Sequence, residues 1–465
     1  MNLGLLSPEI FLALGATFVL LGETIWPRLS RAWIAVSVFL LVVTAGLVLK
    51  APAGAVGGMI VMDGMSRFLK IVSIFGVILT LGLSLESRDL NERWIPWGTY
   101  AALLLLSTVG LMLLVSSDDL LMLVISLELV TITSFVLTGF MKSDRRAGEA
   151  AIKYFLVGAF STGLMIYGIS LYYGIFGTTS LAALRAADMA VVARVPLAAS
   201  VFFLLAGFGF KVAIVPFHMW VPDVYEGAPL PITAFISVAP KAAAFGALLR
   251  ALPDLNAVGV SSAVALLSVL TMTVGNVGAL KQTNVKRFLG YSSIAQMGYV
   301  LMGVVAGGNS GRSSVLLYVL VYLFMNMGAF AGAILVVNES GSEDLSAFSG
   351  LARRSFPLAL TVAVFFISLT GIPPLAGFVG KFSLFAAVLE HGWIWLAAAG
   401  AVNSVISLYY YFSVVRRMFF EEGKGSEKFP VSYSLAGCLA VPLLVTLWAG
   451  IFPSGFLAWV RSAIP

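Results

Sequence analysis

The sequence has little charge, few histidines and almost no cysteine. Only 11% of its 465 residues are charged, against about 25% in soluble domains, so burial in a soluble core does not explain the composition. The two histidines, His218 and His391, are far apart, and the single cysteine, Cys438, excludes a disulfide framework or an iron–sulfur site built by this chain alone. No GxGxxG or GxxxxGK[ST] motif opens a helix after a strand. These absences predict a chain that holds no metal, nucleotide or redox cofactor of its own.

What the chain has in excess is apolar residues, which make up 60% of it and give a mean hydropathy of +1.01. Apolar runs of about 20 residues, the length that crosses a hydrocarbon core, recur from end to end. They predict an all-α polytopic membrane protein, and they exclude a barrel, whose strands alternate around a polar lumen. The net charge of +6 does not indicate nucleic acid, because the basic residues stand singly or in pairs between apolar runs.

The apolar runs define fourteen candidate membrane-spanning helices, with ends placed to about three residues. The first lacks a basic n-region and a clear cleavage site, so it predicts a retained span and not a signal peptide. Spans twelve and fourteen exceed the length that a bilayer needs and are expected to be tilted, bent or broken. The predicted spans are 3–24, 32–49, 68–85, 96–115, 120–140, 150–174, 197–220, 230–251, 258–280, 288–307, 313–337, 357–389, 393–420 and 431–459.

The basic residues between spans predict the orientation. Sixteen lie in turns after odd-numbered spans, and the positive-inside rule places these in the cytoplasm and both chain ends outside. The sixteen are Arg28, Arg31, Arg88, Arg93, Lys142, Arg145, Arg146, Lys281, Lys286, Arg287, Arg353, Arg354, Arg416, Arg417, Lys424 and Lys428. The eight on the other side are Lys50, Arg67, Lys70, Arg185, Arg194, Arg250, Arg312 and Arg461.

Four ionisable residues fall well inside predicted spans: Glu128, Lys211, Lys241 and Lys381. A charge at the centre of a membrane helix costs about 2.5–3.5 kcal/mol on insertion scales, so such residues face the bundle interior and mark functional sites. A Glu–Lys pair is the least costly way to bury either charge, so we expect Glu128 to face Lys211 or Lys241. A purely structural ion pair is the alternative, but three lysines against one acid favour a proton relay.

Prolines interrupt two of the lysine-bearing spans. Pro216 follows Lys211 in span seven, and Pro373 and Pro374 precede Lys381 in span twelve. A proline removes a helix hydrogen bond, and interrupted helices at matching places in two halves of a chain indicate an inverted-repeat transporter.

Because spans seven and twelve are five apart, the breaks predict two inverted five-helix repeats. The expected organisation is residues 1–95 as helices one to three, 96–251 as the first repeat, 258–420 as the second and 431–465 as the last helix.

Three further features leave alternatives open. Lys153, near the start of span six, either joins the proton path or extends to the surface. His218 either passes protons from water or pairs with Asp223 or Glu226. The segment 181–195 either lies flat at the membrane interface or forms an external loop.

Span ten carries a polar face made of Ser292, Gln296 and Tyr299. Such a face is able to hold water or to hydrogen-bond a neighbouring helix, a weak indication because the spacing is common in membrane helices.

Several of these stretches resemble the antiporter-like membrane subunits of respiratory complex I, and most closely the subunit N branch of that family. The matching stretches are AIKYFLVGAFSTGLMIYGISLYYGIFGTTSL (151–181), FKVAIVPFHMWVPDVYEGAPLPITAFISVAPKAAAF (210–245), NVGALKQTNVKRFLGYSSIAQMGYVLMG (276–303), GIPPLAGFVGKFSLF (371–385) and NSVISLYYY (403–411). The resemblance covers roughly residues 100 to 420. It implies a fourteen-helix fold with inverted repeats and broken helices seven and twelve.

The resemblance also implies a proton path through Glu128, Lys211, Lys241 and Lys381, with Lys153 and His218 at matching positions of less defined role. It implies a subunit of NADH–quinone oxidoreductase in a bacterial inner membrane that carries out no redox step itself. Flavin, iron–sulfur clusters and quinone then belong to other subunits, and the expected neighbours are subunits M, K, J, A and H. Two other functions stay open: a cation/proton antiporter or a related ferredoxin- or hydrogenase-linked complex, and a structural subunit that no longer conducts.

Overall fold

The computed structural model describes residues 3–92, 95–187, 192–423 and 433–464, and this part of the chain is almost entirely helical. The helices of the first half are α1 (Ser7–Ile25), α2 (Ala32–Lys50), α3 (Gly64–Glu86), α4 (Arg88–Asn91), α5 (Trp97–Ser116), α6 (Leu120–Thr138), α7 (Arg145–Phe176), α8 (Leu181–Ala186), α9 (Arg194–Val212), α10 (Trp220–Gly227) and α11 (Leu230–Ala251). Those of the second half are α12 (Leu255–Val258), α13 (Ser261–Leu280), α14 (Val285–Ala306), α15 (Gly308–Ser340), α16 (Leu351–Arg354), α17 (Phe356–Thr370), α18 (Ala376–Glu390), α19 (Ile394–Phe420), α20 (Tyr433–Ile451) and α21 (Ser454–Ser462). Short 3-10 turns cover Leu3–Leu6, Pro27–Leu29 and Leu345–Phe348, and one antiparallel hairpin joins β1 (Gly54–Val56) to β2 (Ile60–Met62).

Polar caps begin several of the spanning helices. The Asp63 side chain accepts from the Ser66 amide while the Ser66 hydroxyl accepts from the Asp63 amide, a capping box that starts α3. Asp119 and Asn284 cap α6 and α14 through their side-chain oxygens alone, each satisfying backbone amides that have no partner within the helix.

The first and last described residues of the chain lie on one face of the bundle, which we name the terminus face. Leu5 packs in a small cluster with Val56 and Met62 of the hairpin. Gly64 at the start of α3 lies against the backbone of Ala463, so the far end of the chain reaches the same place. The two ends share a side, as predicted, and the assignment of the terminus face to the outside stays a prediction.

The predicted membrane fold is confirmed. Thirteen helices of the described residues are long and apolar enough to cross a bilayer, and the shorter Phe356–Thr370 is the first half of the remaining span. Helices α11, α14 and α15 are almost entirely buried, whereas the outer helices expose apolar side chains such as Phe39, Phe160 and Val405, as lipid-facing helices do.

Several predicted boundaries need correction. Span seven was predicted to run to residue 220, but α9 ends at Val212 and a separate helix, α10, starts at Trp220. Spans twelve and fourteen, in contrast, are broken in line with the prediction: span twelve divides into α17 and α18, and span fourteen into α20 and α21. The capping box at Asp63 starts α3 four residues before the predicted start, so Arg67 and Lys70, predicted to lie in a turn, belong to the helix.

Some predictions fall partly outside the described residues. Arg93, Lys424 and Lys428, which contribute to the orientation count, lie there, as do residues 188–191 of the segment 181–195. The described part of that segment begins with the short helix α8. The inverted repeats and the four-part organisation of the chain remain predictions.

Candidate functional site

The first helix break lies directly after Lys211. Ala213 takes a left-handed conformation with φ of 66°, which ends α9, and residues 213–219 are not helical. The Trp220 indole donates to the Phe210 carbonyl at 3.0 Å, and the Val215 amide donates to the Thr271 hydroxyl at 3.1 Å. These bonds satisfy backbone groups that the break leaves free, as irregular backbone at membrane depth requires.

Lys211 is buried, with 1% of its surface exposed, and its ammonium donates to the Thr131 hydroxyl of α6 at 3.2 Å. The predicted pairing of Glu128 with Lys211 or Lys241 does not take the form of a salt bridge, although the charge of Glu128 acts on the Lys211 ammonium. Within the described residues no carboxylate forms a salt bridge with Lys211, and Glu128 is partly exposed and accepts from the Thr162 hydroxyl of α7 at 2.6 Å. Glu128 stands one helical turn before Thr131, so both lie on the same side of α6 but the acid turns toward α7.

Lys241 lies in the middle of α11, 1% exposed, and its ammonium donates to the Ser293 hydroxyl of α14 at 2.6 Å. The Tyr322 hydroxyl of α15 also donates to Ser293, at 2.9 Å. The ring centre of Tyr225 lies 5.7 Å from the Lys241 nitrogen. Lys241 therefore has hydroxyl and aromatic neighbours, and no carboxylate of the described residues pairs with it.

Lys381 is held by the second helix break. Its ammonium donates to the carbonyl of Thr370, the last residue of α17, at 2.9 Å, and lies 4.3 Å from the ring centre of Tyr299. Gly371 has a φ of 92°, a conformation that favours glycine. A Cβ at this position would lie 2.8 Å from Cδ of Lys381, so a larger residue would collide with the lysine side chain. The break thus supplies an unpaired carbonyl at the depth where Lys381 needs an acceptor.

A layer of polar side chains separates Lys241 from Lys381. Gln296 of α14 donates to the Leu369 carbonyl at 2.9 Å and to the Tyr411 hydroxyl at 3.1 Å, and it accepts from Tyr318. Ser292 shares a hydrogen bond with the same Tyr411 hydroxyl. The predicted polar face of span ten therefore contacts its neighbours through hydrogen bonds.

The three lysines stand in a row across the bundle. Helix α9 packs on α11, α11 packs on α14, and α14 packs on α18. Lys211, Lys241 and Lys381 thus occur in this order, with the Ser293 and Gln296 side of α14 between the last two.

Lys153 lies in a charged cluster at the face opposite the termini. It is 43% exposed and contacts Glu149 at 2.8 Å and Asp223 at 2.7 Å. Arg287 binds Asp223 at 2.8 Å and Glu226 at 2.9 Å. The Lys153 side chain extends to the surface, and its part in the proton path stays a prediction.

His218 lies in the break between α9 and α10 and is half-buried. Its Nδ1 atom has no hydrogen-bond partner among the described residues, and Asp223 and Glu226 pair with Lys153 and Arg287 instead. The pairing of His218 with either acid is therefore wrong. The alternative, proton exchange with water, stays a prediction.

Sequence reasoning missed the hydroxyl partners of the lysines, Thr131, Ser293 and Tyr322. Single hydroxyl residues are common in membrane helices, so nothing in the pattern separates these three from the rest. Among the described residues no group of three His, Cys, Asp or Glu side chains is arranged to hold a metal ion.

Comparison with known proteins relates this arrangement to one family. Residues 117–407 match the family model of NADH:quinone oxidoreductase/Mrp antiporter transmembrane subunits. NADH-quinone oxidoreductase subunit N of Moorella thermoacetica is 43% identical, covering 97% of this chain and 96% of the relative, and subunit N of Trichlorobacter lovleyi is 40% identical over 100% and 97%.

Solved structures have the same fold. A chain of respiratory complex I from Thermus thermophilus, determined with bound aureothin, is 30% identical with a TM-score of 0.84, covering 98% of this chain and 99% of that one. A chain of an archaeal membrane-bound sulfane sulfur reductase, 22% identical, matches in fold with a TM-score of 0.87 over 99% and 96%. The chain belongs to the NADH:quinone oxidoreductase/Mrp antiporter family of membrane subunits and, within it, to the subunit N branch.

Proposed function

We propose that this chain is a proton-translocating membrane subunit of an NADH-quinone oxidoreductase, driven by quinone reduction elsewhere in the assembly. The observation that carries the proposal is the row of three buried lysines that have hydroxyl or carbonyl partners instead of carboxylates. Burial without a carboxylate in direct contact brings the charged and neutral forms of an amine close in free energy, which is the property that a proton carrier needs.

Each lysine has a distinct role in this proposal. Lys211 receives a proton on the side of Glu128, whose charge favours loading. Lys241 is the central relay, because Ser293 connects it to Tyr322. Lys381 passes the proton toward the terminus face, since α18 continues from it to that face and ends at Glu390. Lys153 and His218 are entry-side candidates.

The surrounding assembly is part of the proposal. The chain lies in a bacterial inner membrane with both ends on the outer side, next to the antiporter-like subunit M and the small subunits K, J, A and H. Flavin, iron–sulfur clusters and quinone belong to other subunits, and this chain carries out no redox step.

A Lys211→Ala variant tests the proposal in membranes that contain the assembled complex. We expect a lower number of protons translocated per electron, because the amine next to the first break is lost. The measurement is the quench of a pH-sensitive dye together with the rate of NADH oxidation. Full quinone reduction with full pumping would contradict the proposal.

The Ser293 hydroxyl offers a finer test. We expect Ser293→Ala to slow proton transfer through the subunit about fivefold, the effect of losing one hydrogen bond worth about 1 kcal/mol. Tyr322→Phe should act through the same hydroxyl, so the double variant should be no worse than Ser293→Ala alone. Additive losses in the dye assay would show that the two hydroxyls act independently.

A second candidate function is a cation/proton antiporter without redox partners, since the matching family model also covers Mrp antiporter subunits. Purification from native membranes separates the two. Copurifying flavin, iron–sulfur centres and NADH oxidation favour the oxidoreductase, and their absence together with cation-dependent proton movement favours the antiporter.

A further inference from the structure

A second set of buried charges lies outside the lysine row, between α1 and α3. The Lys70 ammonium is 2.6 Å from Oε1 of Glu9, and their side chains are 1% and 4% exposed. Both residues precede the region that the family model matches, which starts at residue 117. The pair therefore belongs to the three-helix N-terminal part of the chain.

The pair has few other hydrogen-bond partners. Apart from the contact with Lys70, neither carboxylate oxygen of Glu9 has a partner among the described residues. Among the described residues, the Lys70 ammonium has one other hydrogen-bond contact, to the sulfur of Met62, a weak acceptor, at 3.6 Å. One helical turn deeper on the same face of α3, the buried Ser73 hydroxyl also has no partner among the described residues. A buried ion pair with so few additional bonds contributes little net stability, so helix packing alone does not explain it.

Polar groups lead from this pair to the terminus face. Ser66 and Asp63 follow Lys70 along one face of α3 toward its start, and the Ser66 hydroxyl contacts the same Met62 sulfur at 3.7 Å. Asp63 forms a salt bridge with Arg250 at 2.5 Å. Asp63 and Arg250 both line a cavity of about 460 Å³, whose other charged lining residues are Asp118, Arg185, Asp254 and Arg312.

We propose that Glu9 and Lys70 form a second proton-exchanging pair that opens to the terminus face through Asp63 and Arg250 and contributes to the protons moved by this subunit. The Glu9 carboxylate takes up one proton that originates from water on the face opposite the termini, which leaves a neutral acid beside the Lys70 ammonium and gives the pair a charge of +1. The proton is then released toward the cavity, and the ion pair forms again. No bond other than O–H changes, and no oxidant or reductant takes part.

Asp63 positions Arg250 at the end of this route and does not carry the proton itself. Burial raises the pKa of its carboxyl, but the hydrogen bond and charge of Arg250, together with the hydrogen bonds from Ser66, outweigh burial and hold the pKa below the ordinary value. Asp63 thus stays ionised at neutral pH and keeps the Arg250 guanidinium in place, which leaves Glu9 as the carboxyl that changes state.

Two measurements on the assembled complex in membrane vesicles test the proposal. The first is labelling by a hydrophobic carbodiimide, which reacts with protonated carboxyl groups in apolar surroundings, followed by peptide mass spectrometry. We expect label on Glu9 during NADH oxidation. Glu23, a buried acid of the same helix that accepts from Ser30 at 2.7 Å and from the Gly98 amide at 3.2 Å, is the internal control and should stay unlabelled.

The second measurement is the number of protons moved per electron in the double variant Glu9→Gln/Lys70→Met. Replacing both partners avoids a lone buried charge, so the complex should assemble in normal amount, while the proton number should fall. The matched control is Arg88→Met/Glu92→Gln, which removes an exposed ion pair at the opposite face and should leave the proton number unchanged.

An unlabelled Glu9, or a double variant that assembles and pumps at the normal proton number, would overturn the proposal. Labelling without a fall in proton number would overturn it too, because the pair would then exchange protons outside the transport cycle. The lysine row is tested separately through Lys211 and Lys241, so either route is able to fail while the other stands.

Discussion

Replacing Lys241 with alanine is expected to stop proton translocation by this subunit, the largest functional effect of any single change in the chain. Lys241 is the middle member of the lysine row and donates to Ser293 at 2.6 Å, so the row has no amine between Lys211 and Lys381 without it. Removal of a positioned proton-transfer group costs roughly 10²–10⁴ in rate. The measurement is the number of protons per electron in vesicles, with the amount of assembled complex determined on the same membranes.

Two companion variants separate proton transfer from charge and packing. Lys241→Arg keeps a positive charge, but a guanidinium does not release its proton, so we expect proton translocation to stay low. Lys281→Ala removes an exposed lysine at the end of α13 and should leave pumping unchanged. Normal pumping by Lys241→Ala would show that the row does not conduct through α11.

Gly377→Ala is expected to have the largest effect on stability. A Cβ at this position would lie 1.7 Å from the Ser368 carbonyl oxygen, an atom of the backbone that has no freedom to move away. Overpacking of a tight core costs typically 1–3 kcal/mol, and a backbone clash at this distance places the cost at about 3 kcal/mol or more. We expect less assembled complex in the membrane and a lower unfolding temperature, followed by the fluorescence of the chain's tryptophans.

The control for this variant is Gly163→Ala in α7, where an added Cβ meets no atom within 4 Å. Alanine is the better helix former by about 1 kcal/mol, so this change should be neutral or stabilising. If Gly377→Ala assembled as well as Gly163→Ala, that result would contradict the close contact between α17 and α18 at the second break.

Much of the fold was predictable because membrane spans are long and strongly apolar. The span at 230–251 coincides with α11 at both ends, since Pro229 before it and Pro253 and Asp254 after it mark its boundaries. The helix breaks were predicted at the right spans because proline inside an apolar run has one main structural consequence. The end of α9 at Val212 was missed, since the turn at Ala213 starts three residues before the proline and nothing in the local sequence marks it.

The contacts of the charges were less predictable. Glu128 was expected to face a lysine because opposite charges attract; its charge acts on Lys211, but its hydrogen bond comes from Thr162 of the adjacent helix. Lys70 was placed in a turn because it lies two residues into the predicted span, and the capping box at Asp63 brings it inside the bundle. Thr162 lies 34 residues from Glu128, so no local pattern specifies that contact, whereas the capping box at Asp63 is a local pattern that the predicted boundary left out.

The sequence by itself determined that the chain crosses a membrane many times, that spans seven and twelve are broken, and that Lys211, Lys241 and Lys381 lie inside spans. These features depend on local composition, because transfer of apolar and charged groups into lipid dominates their energy. Only the tertiary structure decided which groups accept hydrogen bonds from the three lysines. It also decided that Glu9 and Lys70 form a buried ion pair. The physical reason is that hydrogen bonds and ion pairs between helices depend on how each helix is rotated and packed, and residues far apart in sequence set that rotation.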